Sequence, residues 1–169
     1  MNTLLGVTKI ESLKEHHYDY IVQQLDTWWD GRNMVAMLPR LWFKDFQTTS
    51  FIALNEDDTP IGFLVGYISA TDTTKAYVHF IGIDPACRGV GVGSQLYETF
   101  FNLAKSSGAT FVDAVTSPKN LKSLLFHESM GFKGINPTGQ ITSPTEAQFH
   151  TDYDGPGEDR IVLRKNILE

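Results

Sequence analysis

The feature that most constrains the fold of this chain is a glycine-rich segment, Asp84 to Ser94. It follows a segment that alternates like a β-strand, Ala76 to Ile83, and leads into a segment with helical periodicity, Val92 to Ser106. Alternating glycines let a backbone turn tightly and approach a ligand closely. The first amides of the following helix point into the turn and, with the helix dipole, form a site suited to a pyrophosphate. The segment therefore predicts an α/β fold with an anion site between a strand and a helix.

Two common nucleotide-binding motifs do not fit this glycine spacing. No Gly-Lys-Ser or Gly-Lys-Thr follows the glycines, which excludes a P-loop. The glycines alternate as G-x-G-x-G and are separated from the strand by several residues, so they match the dinucleotide fingerprint poorly. Asp113 is at a suitable distance for a ribose-binding acid, but it falls inside a strand pattern. A flexible loop with a glycine-rich helix start remains the plain structural alternative.

The rest of the pattern predicts a mixed α/β sheet with helices on its faces. Leu4 to Ile10 predicts a first strand, and Leu13 to Trp29 predicts one or two helices that end in a break. Two later strands joined by a turn-rich segment predict an antiparallel hairpin. The other predicted elements are a short helix over Leu38 to Phe46, the hairpin strands Ser50 to Leu54 and Ile61 to Ile68, a strand over Thr110 to Thr116, a turn and helix over Ser117 to Met130, a short strand over Phe132 to Ile135, a long loop over Pro137 to Asp159 and a last strand over Arg160 to Leu163.

Composition indicates one folded domain, residues 1–169, and 41% of the residues are hydrophobic. The longest apolar stretch, Ile61 to Ala70, is too short to cross a bilayer, and the N-terminus has no signal-peptide pattern. We therefore expect a cytoplasmic protein with no membrane partner. The net charge of −6 argues against a nucleic-acid partner. The only cysteine, Cys87, excludes an internal disulfide bond, and the histidines show no metal-ligand spacing, so no metal is expected.

The glycine segment and its surroundings resemble the GNAT family of N-acetyltransferases. Arg88 to Gly93 is similar to the Q/R-x-x-G-x-G/A signature of that family. Phe80 to Pro85 is similar to the exit of the family's fourth strand. Asn120 to Phe132 resembles its second motif, in which an Asn opens a helix and an aromatic residue precedes a Gly-Phe pair. The resemblance extends from about Phe51 to Phe132 and implies a central mixed, mostly antiparallel sheet of about six or seven strands with about four helices on its faces.

The resemblance also implies where acetyl-CoA would bind as the cosubstrate. The pantetheine arm would bond to the main chain of the fourth strand, here at Ile81 and Ile83, where an N–H would polarise the thioester carbonyl. Asn120 of the second motif would bond the same arm, and Ser123 shares its helix face. The backbone amides of the glycine turn would hold the pyrophosphate, and the residues of that turn are Arg88, Gly89, Val90, Gly91, Val92, Gly93 and Ser94.

Two histidines are the candidate catalytic residues. His127 occupies the place where many family members have a tyrosine that protonates the departing thiolate. His79 occupies the place of a glutamate that acts as the base for the amine. Each histidine also has a plain structural explanation. His127 could form a hydrogen bond in the groove or cap local backbone, and His79 could be a buried ring bonded to a neighbouring strand or side chain.

The function that the resemblance implies is direct transfer of an acetyl group from acetyl-CoA to a primary amine, on a small molecule or a peptide. The alternative is a non-catalytic acyl-CoA-binding or regulatory module on the same fold, and the histidine in place of the tyrosine keeps this alternative open. The sequence does not identify the acceptor or distinguish acetyl from a longer acyl group. A homodimer is the expectation that the family suggests for the oligomeric state.

Overall fold

The computed structural model describes Val7 and residues 9–169. Within these residues, eight β-strands form one sheet in the order β1-β2-β3-β4-β5-β8-β6-β7. The pair β4–β5 is parallel, whereas β1–β2, β2–β3, β5–β8, β6–β7 and β6–β8 are antiparallel. The elements are β1 Lys9–Ser12, α1 Tyr18–Trp28, α2 Leu41–Asp45, β2 Phe51–Leu54, β3 Pro60–Ile68, β4 Lys75–Ile83, α3 Val92–Ser106, β5 Phe111–Thr116, α4 Leu121–Ser129, β6 Lys133–Ile135, β7 Ile141–Thr142 and β8 Ile161–Asn166. A mixed, mostly antiparallel sheet with four α-helices in this described part of the chain confirms the predicted fold class.

The chain divides into two compact units. The first contains the chain up to Tyr67 together with Val78–Ser106, and the second contains Ile68–Tyr77 and Ser107–Glu169. Strand β4 contributes to both units, because its first three residues belong to the second and the rest to the first. The prediction of one domain over residues 1–169 stays a prediction.

The core of the first unit is rich in aromatic rings. Ile21, Leu25 and Trp28 lie at helical spacing on α1 and are buried, as an amphipathic helix requires. The ring of Trp28 stacks on that of Phe63 from β3, with 6.2 Å between their centroids. Aromatic pairs of this kind add about 0.5–1.5 kcal/mol beyond the area that they bury. The helix and the sheet of this unit are therefore joined by large, rigid side chains.

Helix α1 ends because the chain adopts a left-handed conformation after it. Asp30 and Gly31 have φ angles of 53° and 80°, and the N–H of Gly31 donates to the carbonyl of Asp26 at 2.7 Å. This arrangement satisfies one of the last carbonyl groups of the helix. The break predicted after Trp29 is therefore found where the sequence indicated it.

The second unit is organised around the antiparallel pair β5–β8, which runs from Phe111 opposite Asn166 to Thr116 opposite Ile161. Strand β6 pairs with the other edge of β8. Helix α4 begins at Leu121, because the side chain of the preceding Asn caps its first turn. No helix within the described residues is long and apolar enough to span a membrane.

Two predictions about the chain's elements differ from the structure. The first strand is Lys9–Ser12, and most of the predicted strand Leu4 to Ile10 lies outside the described residues. The predicted long loop over Pro137 to Asp159 contains short elements that the sequence did not indicate, namely the two-residue strand β7, a 3-10 turn over Pro144–Glu146 and His150, which forms a bridge with Arg160. Strand β7 is the last strand in the order of the sheet. Its two residues are too few to show a periodic pattern in the sequence.

Candidate functional site

The glycine segment connects β4 to α3 through a turn with an unusual backbone. Asp84 opens it, because its carboxylate accepts a hydrogen bond from the N–H of Ala86 at 2.9 Å. Gly89 and Gly91 then adopt φ angles of 80° and 90°. Residues with a side chain rarely adopt this left-handed region, so the backbone itself requires glycine at both positions.

We call Arg88 to Ser94 the phosphate cradle, and its structure fits a pyrophosphate. The N–H of Gln95 donates to the carbonyl of Gly91 at 3.0 Å, so the amides just before Gln95 form the donor end of α3. A side chain at Gly89 would meet no atom within 4 Å, which shows open space beside the turn. The sequence from Pro85 to Tyr97 contains no acidic residue. Donors, space and charge therefore suit an anion at this helix end.

The side chain of Arg88 bonds to the protein's own backbone. Its Nε donates to the carbonyl of Ile83 at 3.2 Å, and its Nη2 donates to the carbonyl of Trp28 at 2.5 Å. Trp28 is the last residue of α1, whose last turn contains no basic residue. A cation at this point complements the negative end of the helix dipole. Arg88 thus connects the cradle to β4 and α1, and its side chain is directed to carbonyl groups.

We expect Arg88→Met to destabilise the protein in the absence of any ligand. Two hydrogen bonds from an ionised, solvent-exposed group would be lost, which costs about 1–2 kcal/mol. Thermal unfolding of the unliganded variant measures this change, and Lys119→Met, at an exposed lysine, is the matched control. An unchanged melting temperature with a weakened affinity for coenzyme A would show instead that the side chain binds phosphate.

Strand β4 carries Ile81 and Ile83, the two residues predicted to bind pantetheine. They lie near the end of the strand, next to the glycine segment. An extended ligand can bind the main-chain groups of a strand. The carbonyl of Ile83 accepts a hydrogen bond from Nε of Arg88 at 3.2 Å, so the side chain of Arg88 also reaches this part of β4.

His79 on β4 is held by two neighbours. Its Nε2 is 2.7 Å from the backbone carbonyl oxygen of Met37, in a 3-10 turn over Val35–Met37. Its ring stacks on the indole of Trp42 from α2, with 4.6 Å between the centroids and 11° between the planes. Sequence reasoning predicted neither partner. The dense aromatic residues of Leu41–Asp45 and Phe46 were the available signal, but no periodicity connects them to β4.

The second unit brings three of the predicted residues together on α4. The Oδ1 of Asn120 accepts a hydrogen bond from the N–H of Ser123 at 3.2 Å and so caps the helix. The Nδ1 of His127 is 2.8 Å from the carbonyl oxygen of Ser123 and 3.3 Å from its hydroxyl. The predicted shared helix face is therefore present. The cap uses the oxygen of the Asn120 amide, so only its NH₂ group remains to donate to a ligand.

His127 is deeply buried and is held as a neutral ring. It is 4% exposed and has edge contacts with the rings of Phe126 and Phe132, at 5.6 and 5.1 Å. Burial lowers the pKa of the imidazole, and the hydrogen bond to the Ser123 carbonyl opposes this shift only in part. A carbonyl only accepts, so Nδ1 carries the proton of the neutral ring. The acid role of His127 stays a prediction, and it requires a second proton on Nε2.

Burial of His127 makes the protein sensitive to acid. Its folded pKa is lowered, so its contribution to stability is full above the unfolded value of about 6.5 and is lost as the pH falls through the folded pKa. The loss approaches about 1.4 kcal/mol per pH unit for one proton. His17, whose pKa burial also lowers, adds to the effect.

We expect His127→Phe to flatten the dependence of the free energy of unfolding on pH below about 6.5. Urea unfolding at a series of pH values measures the slope. Leu125→Phe, at an exposed leucine of the same helix, is the control and should leave the slope unchanged. An identical acid profile in wild type and His127→Phe would show that His127 does not titrate between the folded and unfolded states.

Other reactive groups in the described part of the chain contribute little. The Cys87 thiol is buried, and burial raises its pKa, which weakens it as a nucleophile. Asp113, at a suitable spacing for a ribose acid, is buried in an ion pair with Arg164. No group of three or more His, Cys, Asp or Glu among the described residues could hold a metal ion.

Comparison with known proteins agrees with this geometry. Residues 11–132 match the sequence model of the acetyltransferase (GNAT) family. The chain is 28% identical over 126 residues to the L-2,4-diaminobutyric acid acetyltransferase of Streptomyces coelicolor, a match that covers 73% of this chain and 72% of that protein. A protein of the same name from Nocardia farcinica is 29% identical over 84 residues, which cover 50% of this chain but only 43% of that relative.

A solved structure shows the same fold. The Salmonella typhimurium protein yncA, determined with its cofactor acetyl-CoA, superposes with a TM-score of 0.67 at 15% identity, over 95% of this chain and 94% of that chain. The family model spans well over half of the sequence described above. The chain therefore belongs to the GNAT family of acetyltransferases and is by family an acetyl-CoA-dependent N-acetyltransferase.

Proposed function

We propose that this protein transfers the acetyl group of acetyl-CoA to a primary amine of a small diamino acid, of the class of 2,4-diaminobutyric acid. The phosphate cradle is the observation that carries the proposal, because it combines two left-handed glycines, the donor end of a long helix and an acid-free sequence. The acceptor class comes from the names of the relatives, which describe diaminobutyric acid acetyltransferases.

The donor is proposed to bind through the backbone. The amides of Arg88 to Ser94 would bind the pyrophosphate, in accord with their place at the start of α3. The main chain of Ile81 and Ile83, near the end of β4, would bind the pantetheine arm. Asn120 and Ser123 would add side-chain bonds. Acetyl-CoA supplies the acetyl group in activated form, as a thioester.

His79 is the proposed base. An alkylammonium does not attack a carbonyl until it loses a proton, so a nearby acceptor is needed. With its proton on Nε2 facing the Met37 carbonyl, the neutral imidazole has its lone pair on Nδ1. This nitrogen is the atom proposed to accept the proton of the amine.

His127 is the proposed donor of a proton to the leaving sulfur. A ring that burial keeps neutral takes up a proton when negative charge develops beside it, because a nearby anion favours the imidazolium. The hydrogen bond from Nδ1 to the Ser123 carbonyl would then stabilise the charged ring as well. His127 would therefore become protonated only when both substrates are bound and negative charge develops on the sulfur.

Release of thiol from acetyl-CoA, measured over matched amines, tests the proposed function. The panel is L-2,4-diaminobutyrate, 2-aminobutyrate without the second amine, 1,3-diaminopropane without the carboxylate, and a short peptide. We expect turnover on the diamino acid and much less on the other three. Turnover on the peptide alone would replace the acceptor class but keep the enzyme. Coenzyme A binding with no turnover on any amine would favour the non-catalytic acyl-CoA-binding module.

A further inference from the structure

His79 lies in a tightly packed group of aromatic rings, which restricts the orientation of its imidazole. Trp42 is 8% exposed and is itself stacked between other rings, with centroid distances of 4.5 Å to Phe46 and 6.2 Å to Tyr67. The nearly parallel indole and imidazole therefore belong to one packed aromatic cluster, which we define as Trp42, Phe46, Tyr67 and His79. A ring packed in this way has few alternative rotamers.

The two contacts to His79 fix different properties of the ring. The Met37 carbonyl accepts a hydrogen bond and cannot donate one, so it selects the tautomer with the proton on Nε2. The Trp42 face sets the plane of the ring. Together they leave the imidazole one orientation and one basic nitrogen. Nδ1 of His79 makes no hydrogen bond to any other described residue.

We propose that Trp42 is a positioning residue whose indole, with the Met37 carbonyl, holds the His79 imidazole in its Nε2–H tautomer, so that Nδ1 accepts the proton of the amine. In this step an N–H bond of the ammonium breaks, its electron pair stays on the amine nitrogen, and an N–H bond forms at Nδ1. The inference rests on the proposed function of His79 as the base.

The tautomer can be observed directly without any substrate. A long-range ¹H–¹⁵N spectrum of the wild-type protein at mildly alkaline pH distinguishes a protonated nitrogen from a bare one in each imidazole. The signals of His79 are those that disappear in His79→Gln. We expect one tautomer, with the proton on Nε2. A proton on Nδ1, or a mixture of both tautomers in the wild type, would overturn the proposal.

Two substitutions at Trp42 test the positioning role. Trp42→Phe keeps an aromatic face, and we expect it to retain the wild-type His79 signals and nearly the wild-type kcat. Trp42→Leu keeps an apolar side chain but offers no face. Without the plane that the indole sets, the ring can turn away from the Met37 carbonyl, so we expect mixed tautomers and a kcat about ten- to a hundredfold lower. Its KM for acetyl-CoA should stay the same. A folded Trp42→Leu with unchanged His79 signals and kcat would contradict the proposal.

The failure of this inference and that of the proposed function have different signatures. If His79→Gln retains full activity, His79 is not the base, and the positioning role fails with it whatever the tautomer. If His79→Gln is inactive but Trp42→Leu is fully active, the base stands and only the positioning role is wrong. The wild-type tautomer is measured in either case, so a variant that fails to fold does not prevent the test.

Discussion

Replacing His79 with glutamine is expected to lower kcat by about a hundredfold or more. A positioned general base contributes roughly 10²–10⁴ to a rate, and glutamine has no basic nitrogen. The amide NH₂ of glutamine can still donate to the carbonyl of Met37, which is the contact that His79 makes at 2.7 Å. The variant therefore removes the base while it preserves the link to the 3-10 turn. Initial rates of thiol release with saturating acetyl-CoA measure the loss.

His16→Gln is the matched control for this substitution. His16 is exposed on the first 3-10 turn, so the change is chemically the same but lies at the surface. We expect wild-type rates from it. The melting temperature of His79→Gln should be compared with that of the wild type, because the stack on Trp42 is lost. A kcat within about threefold of the wild type would exclude His79 as the base and leave deprotonation to another group or to water.

The parts of this structure that sequence predicts well depend on local rules. Helix α3 begins at Val92 and ends at Ser106, as its periodicity indicated. The left-handed glycines of the cradle follow from the alternation of glycine with larger residues, because only glycine adopts that backbone freely. Asn120 was expected to open a helix, and its side chain caps α4. Each of these features is determined within a few residues of chain.

The features that sequence did not predict depend on distant pairs. His79 and Trp42 are separated along the chain by the hairpin of β2 and β3, so nothing in their spacing indicates that their rings stack. The side chain of Arg88 donates to the carbonyls of Ile83 and Trp28, and no local pattern indicates either partner. The neutral state of His127 likewise depends on its burial beside Phe132, and the periodicity of the sequence does not indicate this burial. Roles in proton transfer and anion binding are decided by such contacts.

The ion pair of Asp113 with Arg164 gives the second large expected effect. Asp113, 7% exposed at its side chain, is opposite Arg164 on β8 and binds it through two hydrogen bonds of 2.7 and 2.9 Å. Lys75 of β4 approaches the same carboxylate at 3.7 Å. The guanidinium of Arg164 lies over the ring of Phe111, with its central carbon 4.2 Å from the ring centroid, and 44% of the side chain is exposed. The carboxylate is therefore the buried partner, and the arginine is the partner that water can reach.

This asymmetry predicts that Arg164→Met destabilises the protein more than Asp113→Asn. Removing the arginine leaves a buried carboxylate with only Lys75 nearby, which costs about 3 kcal/mol, the range for breaking a buried pair from one side. Removing the charge of Asp113 leaves a cation that water can solvate, so about 1 kcal/mol is expected. Urea unfolding with a common m-value measures both free energies. In the double variant the loss should be smaller than in Arg164→Met alone, because no buried charge remains. Equal losses in the two single variants would show that burial of Asp113 does not control the energy of this pair, and that the strands depend on the hydrogen bonds themselves.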